Sequence, residues 1–133
     1  MKNITKKYVK SFEQLEPSTI SDLIDCLHES FIFIDPFNNI RGKESFRKFL
    51  EKMFLKIKNP KFRILKLLEE NNLTLIKWNF EYQTSKKKIN FDGVSELITK
   101  ENLVYKHIDY WDSGKNIYSN LPLIGSIFKK IHN

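Results

Sequence analysis

Apolar residues set two different periods along this chain. Ile4, Tyr8, Phe12 and Leu15 recur at three- and four-residue spacing, which predicts a helix over residues 4–14. Glu16-Pro17-Ser18 breaks it, and Ser18 is placed to cap a second helix carrying Ile20, Leu23, Ile24 and Leu27 on one face. Phe31 to Asp35 reads as a short strand, ended by Pro36 and an Asn38-Asn39 turn. Gly42 precedes a third helix over 43–58, with Phe46, Phe49, Leu50, Met53, Phe54 and Ile57 as its apolar stripe. After Asn59-Pro60 the period drops to two. Phe62, Ile64 and Leu68 are expected on one face of a strand ending near Glu70. Past a tight turn at Asn71-Asn72, Thr74, Ile76, Trp78, Phe80 and Tyr82 share a face of the next strand. Ser85 to Lys88 turns into a strand over 89–99, where Gly93 suggests a bulge or bend. Lys100-Glu101-Asn102 leads into the last strand.

Helices first and hairpin-linked strands afterwards predict an α+β fold. The expected form is a cone: a strongly curved, mostly antiparallel sheet with three N-terminal helices on its concave face. Such a sheet encloses a mostly apolar cavity, the kind of place where small molecules bind. Residues 1–120 make one domain. Residues 121–133 form a separate basic, amphipathic tail, suited to packing, to closing the cavity, or to weak peripheral membrane contact.

Composition narrows the function classes. The net charge of +7 invites a nucleic-acid reading, but arginine occurs only at positions 41, 47 and 63. Lysines spread over every element suit a solvated surface better than specific phosphate or base readers, so no specific nucleic-acid partner is expected. The single cysteine, Cys26, permits no intrachain disulfide and reads as a buried, inert thiol. With no apolar segment resembling a signal peptide or a membrane span, a cytoplasmic location is expected.

The chemistry concentrates in His107-Ile108-Asp109-Tyr110-Trp111. Side chains two apart on a strand share a face, so His107 and Asp109 are expected side by side, with Tyr105 and Trp111 as same-face neighbours. An imidazole and a carboxylate among aromatics can move protons where that face lines a cavity. Asp35, closing the early strand, is a third candidate, although Asp before such a turn also caps it. His107, Asp109 and Asp35 could make a His/carboxylate metal set, but no metal-ligand spacing supports it; neither a metal nor another cofactor is expected.

The early Asp35-Pro36, Gly42 opening the third helix, the strand with Trp78 and Tyr82, and the late His107-x-Asp109 together resemble the nuclear transport factor 2-like superfamily. Within it, the SnoaL-like polyketide cyclases and ketosteroid isomerase relatives look most similar. The resemblance covers residues 5–120 and implies the cone fold and a homodimer through the outer sheet face. Asp35 matches the general base of the isomerases, and Asp109 the acid/base of the cyclases. The two oxyanion donors of the isomerases find no match: those positions fall near Ser11 or Phe12, with Tyr8 one turn away, and near Ser95. The expectation is therefore a small-molecule pocket protein of the isomerase, cyclase or dehydratase kind acting on an apolar carbonyl compound. Asp109, His107 and Asp35 would carry the chemistry, and Trp78, Tyr82, Tyr105, Trp111 and Ser95 would contact the ligand. The alternative is a non-catalytic ligand-binding or interaction module.

Overall fold

The computed structural model describes residues 1–112 of the 133-residue chain; the tail expected over 121–133 lies outside the described residues. Three helices form: α1 (Asn3–Glu13), α2 (Ile20–Ile24) and α3 (Lys43–Lys56). Ser18 does not cap the second of them. Pro17 opens a 3₁₀ turn one residue earlier, so Glu16 and Thr19 form a reciprocal capping box and Ser18 lies inside the turn, donating to Glu16 Oε1 at 2.8 Å. Leu27, expected on the face of α2, instead opens the first strand, and Cys26 between them is fully buried.

Six strands follow: β1 (Leu27–Ile34), β2 (Asn39–Arg41), β3 (Lys58–Glu70), β4 (Leu73–Gln83), β5 (Lys88–Lys100) and β6 (Leu103–Tyr110). They make one open sheet in the order β2-β1-β6-β5-β4-β3, antiparallel except for the β1–β6 pair. Parallel neighbours need a long connection, and here α3 and β2 to β5 supply it. This is the expected α+β arrangement. Helix α1 lays Thr5, Tyr8 and Val9 into the interior, and α3 adds Phe46 and Leu50. Their contacts are the inward residues of the sheet, among them Phe31, Ile76, Trp78 and Leu97.

Two of the sheet's register shifts change the side-chain alternation in ways that correct the sequence reading. On β3, Ile64 pairs with Trp78 but Lys66 pairs with Lys77, so Leu65 is an extra residue. Past it the inward positions move by one: Leu67 packs on the core and Leu68 points out, 64% exposed. On β6, Val104 pairs with Thr99 and Lys106 with Ile98, leaving Tyr105 extra. Val104 and His107 are both buried as a result, and Tyr105 leaves the His107 face. Gly93, by contrast, makes no bulge. The β4–β5 ladder runs unbroken from Leu73↔Ile98 to Gln83↔Lys88, with Trp78 directly opposite Gly93. The missing side chain admits the Trp78 indole: a Cβ there would be 3.0 Å from Cζ3 and closer still to Cη2 and Cζ2. Among the described residues no helix is long and apolar enough to cross a membrane.

Candidate functional site

Four elements converge on His107. Helix α1 brings Tyr8 and Phe12, β1 brings Phe33, β5 brings Ser95, and β6 carries His107 beside Asp109. The imidazole is 4% exposed and meets the rings of Phe33, Phe12 and Tyr8 edge to face, at centroid distances of 5.0, 5.5 and 5.7 Å. A buried imidazole needs partners for both nitrogens. Nδ1 lies 2.8 Å from the Tyr8 hydroxyl, and Nε2 lies 2.6 Å from Asp109 Oδ1. Ser95 Oγ is 2.5 Å from the same Oδ1, and Trp78 Nε1 donates to Ser95 Oγ at 2.8 Å.

The protons of this network follow from its chemistry. Burial pushes the Tyr8 hydroxyl well above its ordinary value, and the negative charge of Asp109 adds to the rise, so Tyr8 stays protonated. It donates to Nδ1, which places the imidazole proton on Nε2, facing the carboxylate. Ser95 accepts from the indole and donates its own O–H to Asp109 Oδ1. Every donor is then engaged: Tyr8 to His107, Trp78 to Ser95, and both Ser95 and His107 to Asp109. Both recorded hydrogen bonds to Asp109 fall on Oδ1; among the described residues Oδ2 has none. The Asp109 side chain is 17% exposed.

Asp109 lines a cavity of about 30 Å³ with Tyr8, Trp78, Ser95 and His107 at its polar end. The remaining wall is apolar, formed by Val9, Phe12, Phe62, Ile64, Ile76 and Leu97. That volume suits one or two water molecules. Phe12 and Phe62 limit it, their rings meeting edge to face at 5.4 Å.

The expected residues separate around this cavity. His107, Asp109, Trp78 and Ser95 line it; Asp35, Tyr82, Tyr105 and Trp111 do not. Tyr105, turned by the bulge, packs on His28 at 5.6 Å, with the Lys100 ammonium 5.1 Å from its ring. Trp111 sits against Phe37 and Phe91, at 5.6 and 5.7 Å. Tyr82 is buried in the core beside Phe80. Asp35 caps its turn: Oδ1 accepts the Phe37 and Asn38 amides at 2.8 and 2.7 Å, and the Asn38 side-chain amide donates to both oxygens at 3.0 Å. Burial nevertheless holds its carboxyl above the usual range; the turn hydrogen bonds oppose that shift, and the charge of Asp109 reinforces it. The sequence reading passed over Tyr8, Phe12 and Phe62 as site residues. A tyrosine on a buried helical stripe was the available signal, because a buried hydroxyl needs a partner.

Structures of similar fold include one described as a SnoaL-like polyketide cyclase from Shewanella putrefaciens, 19% identical, with a TM-score of 0.72 over 92% of this chain and 98% of that one. A ketosteroid isomerase-like protein from Catenulispora acidiphila, solved with trimethylamine, is 13% identical, with a TM-score of 0.72 over 83% and 85% of the chains. An epoxide hydrolase from M. tuberculosis is 12% identical, with a TM-score of 0.72 over 98% and 94%. At these identities the likeness establishes the fold alone. No curated protein matches the chain in sequence. The family model of the SnoaL-like domain matches residues 8–107, from the tyrosine on α1 to the histidine it bonds, and the chain belongs to that family.

Proposed function

We propose that this protein is an acid/base enzyme acting on a small apolar carbonyl compound, with Asp109 as the base. The observation that carries the reading is the division of labour on that carboxylate. Oδ1 is anchored by Ser95 and His107, Oδ2 has no hydrogen-bond partner among the described residues, and Asp109 lines a cavity whose wall is mostly apolar. In such a site Oδ2 takes a proton from the carbon next to the carbonyl, and the C–H electron pair passes into an enolate. Neutralising the carboxylate loosens its hold on Ser95 and His107, whose O–H and N–H then stabilise the enolate oxygen. The proton returns to a different carbon in an isomerisation, or carbon–carbon bond formation follows in a cyclisation. Tyr8 and Trp78 hold His107 and Ser95 in place, and Asp35 caps the turn at Phe37-Asn38.

At about 30 Å³ the cavity admits a ketone only when the Phe12 ring swings aside, so Phe12 restricts the size of the substrate. Deuterium incorporation into cyclopentanone in D₂O, followed by proton NMR, is expected to run faster with the protein than with acetate at equal concentration. Phe12→Ala is expected to extend exchange to 2-tetralone at least tenfold, while costing roughly 2–3 kcal/mol of stability because the ring is only half-buried. No acceleration with either protein would overturn the base assignment. The rival reading is non-catalytic ligand binding, favoured by the fact that every donor in the network is already engaged within the protein.

The outer sheet face supports a second copy of the chain as partner. Leu68 pairs across from Leu75 and Val94 from Tyr110, and all four side chains are exposed. Exposed apolar pairs of this kind, with Lys77 and Glu96 between them on the same face, are costly to leave in water. Sedimentation equilibrium is expected to give twice the 15.9 kDa chain mass, and Leu75→Lys to return it to the single-chain value. A wild-type protein that stays monomeric at 100 micromolar would remove the dimer.

A further inference from the structure

We propose that the groove between β2 and the outer face of α3 binds a small molecule carrying a phosphate group. It encloses about 290 Å³ and shares no lining residue with the cavity beside Asp109. Arg41 enters it from β2, and Lys48 and Lys52, one turn apart on α3, enter from the other side. No acidic side chain lines it.

The pairing of charges around the groove is uneven. On the same helix, Lys43 reaches Glu29 at 3.5 Å and Arg47 reaches Glu44 at 3.4 Å. Arg41, Lys48 and Lys52 form no ion pair among the described residues. Lys48 and Lys52 stand at i and i+4, a spacing at which like charges repel. Of the nearby acids, Glu44 is held by Arg47 and Asp35 is committed to its turn, while Glu51 is on α3 outside the lining. Three unneutralised cations around one concave surface focus a positive potential into it. The remainder of the chain holds 16 acidic residues, so the absence of one here is a local arrangement and not a shortage of carboxylates.

The chemistry of the donors favours phosphate over a carboxylate. Two ammonium groups and a guanidinium, from two elements, match a dianion with three outward oxygens better than a monoanion with two. The Ser45 hydroxyl adds a further donor. Ile40 and Phe49 form an apolar stretch beside the charges, which suits the organic portion of a phosphate monoester.

Phenyl phosphate is the probe, with phenol and benzoate as comparisons, read by amide shifts in ¹⁵N-labelled full-length protein. Saturable shifts at Ile40, Arg41, Ser45, Lys48 and Lys52 are expected with phenyl phosphate, with at least tenfold weaker binding of benzoate and none of phenol. The triple variant Arg41→Gln, Lys48→Gln, Lys52→Gln is expected to weaken binding at least tenfold. Lys6→Gln, Lys10→Gln, Lys86→Gln, which removes the same charge elsewhere, should weaken it less than twofold. All six side chains are exposed, so both triple variants should keep the wild-type melting temperature within a few degrees. Equal weakening by the two triples would reduce the effect to net charge and overturn the site. So would non-saturable shifts, or binding seen only with vesicles containing phosphatidic acid and not with phenyl phosphate.

Discussion

Asp109→Asn will slow α-proton exchange by about 100- to 10,000-fold, the usual contribution of a positioned general base. The fold should survive the change. The amide oxygen can still accept from Ser95 at 2.5 Å and from His107 Nε2 at 2.6 Å, so the anchoring side of the residue is preserved in kind. The lost negative charge weakens both bonds, at a cost of about 1–2 kcal/mol. What disappears is the basic oxygen left without a hydrogen bond, since an amide cannot take the proton. The variant therefore separates the two readings of the network. An enzyme loses its rate in addition to the few degrees that the weakened bonds cost. A structural network loses a few degrees and leaves any ketone exchange at the wild-type rate, and that second outcome would remove the catalytic assignment. Tyr8→Phe provides the complementary measurement. It leaves Nδ1 of a buried imidazole without a donor, so it should cost roughly 1–3 kcal/mol while the carboxylate that takes the proton stays in place.

The pairing of His107 with Asp109 was legible in the sequence because no irregularity falls between them. From Lys106 to Asp109 the ladder to β5 advances one residue at a time, so the two-residue alternation holds. It fails one step earlier, where Tyr105 is the extra residue, and it fails again at Leu65. A bulge changes which face every later residue occupies, and neither Leu65 nor Tyr105 differs in type from an ordinary strand residue. Gly93 misled in the opposite direction. Its lack of a side chain answers a cross-strand indole, which spacing along one strand cannot show. The order of the helices and the long strands was readable from the change of period, but the three-residue β2 over Asn39–Arg41, read as a turn, was not. The parallel β1–β6 contact was not, because it joins residues far apart in sequence through backbone groups. Tyr8 illustrates the same limit at the site: its helical position was visible, but its partner lies 99 residues away.

Gly93→Ala should be the most damaging small substitution in the sheet. The added methyl group would enter the space of the Trp78 indole, which is 6% exposed and has only the small cavity beside Asp109 to withdraw into. Overpacking of this kind costs about 1–3 kcal/mol. Tilting the ring also breaks the 2.8 Å bond from Nε1 to Ser95, worth about 1 kcal/mol more. A total near 3 kcal/mol corresponds to a fall of roughly 10 °C in melting temperature for a chain of this size. The effect should reach the chemistry as well, because Ser95 then loses the donor that orients its hydroxyl toward Asp109. Trp78→Phe tests the cause. A smaller ring withdraws from position 93, so the double variant should be less destabilised than the sum of the two singles, by at least about 1 kcal/mol. Melting of all four proteins in one buffer gives that coupling directly. If the two costs simply add, or if Gly93→Ala melts with the wild type, the indole does not depend on the glycine. The line of contacts from Gly93 through Trp78 and Ser95 to the carboxylate would then be broken at its first link.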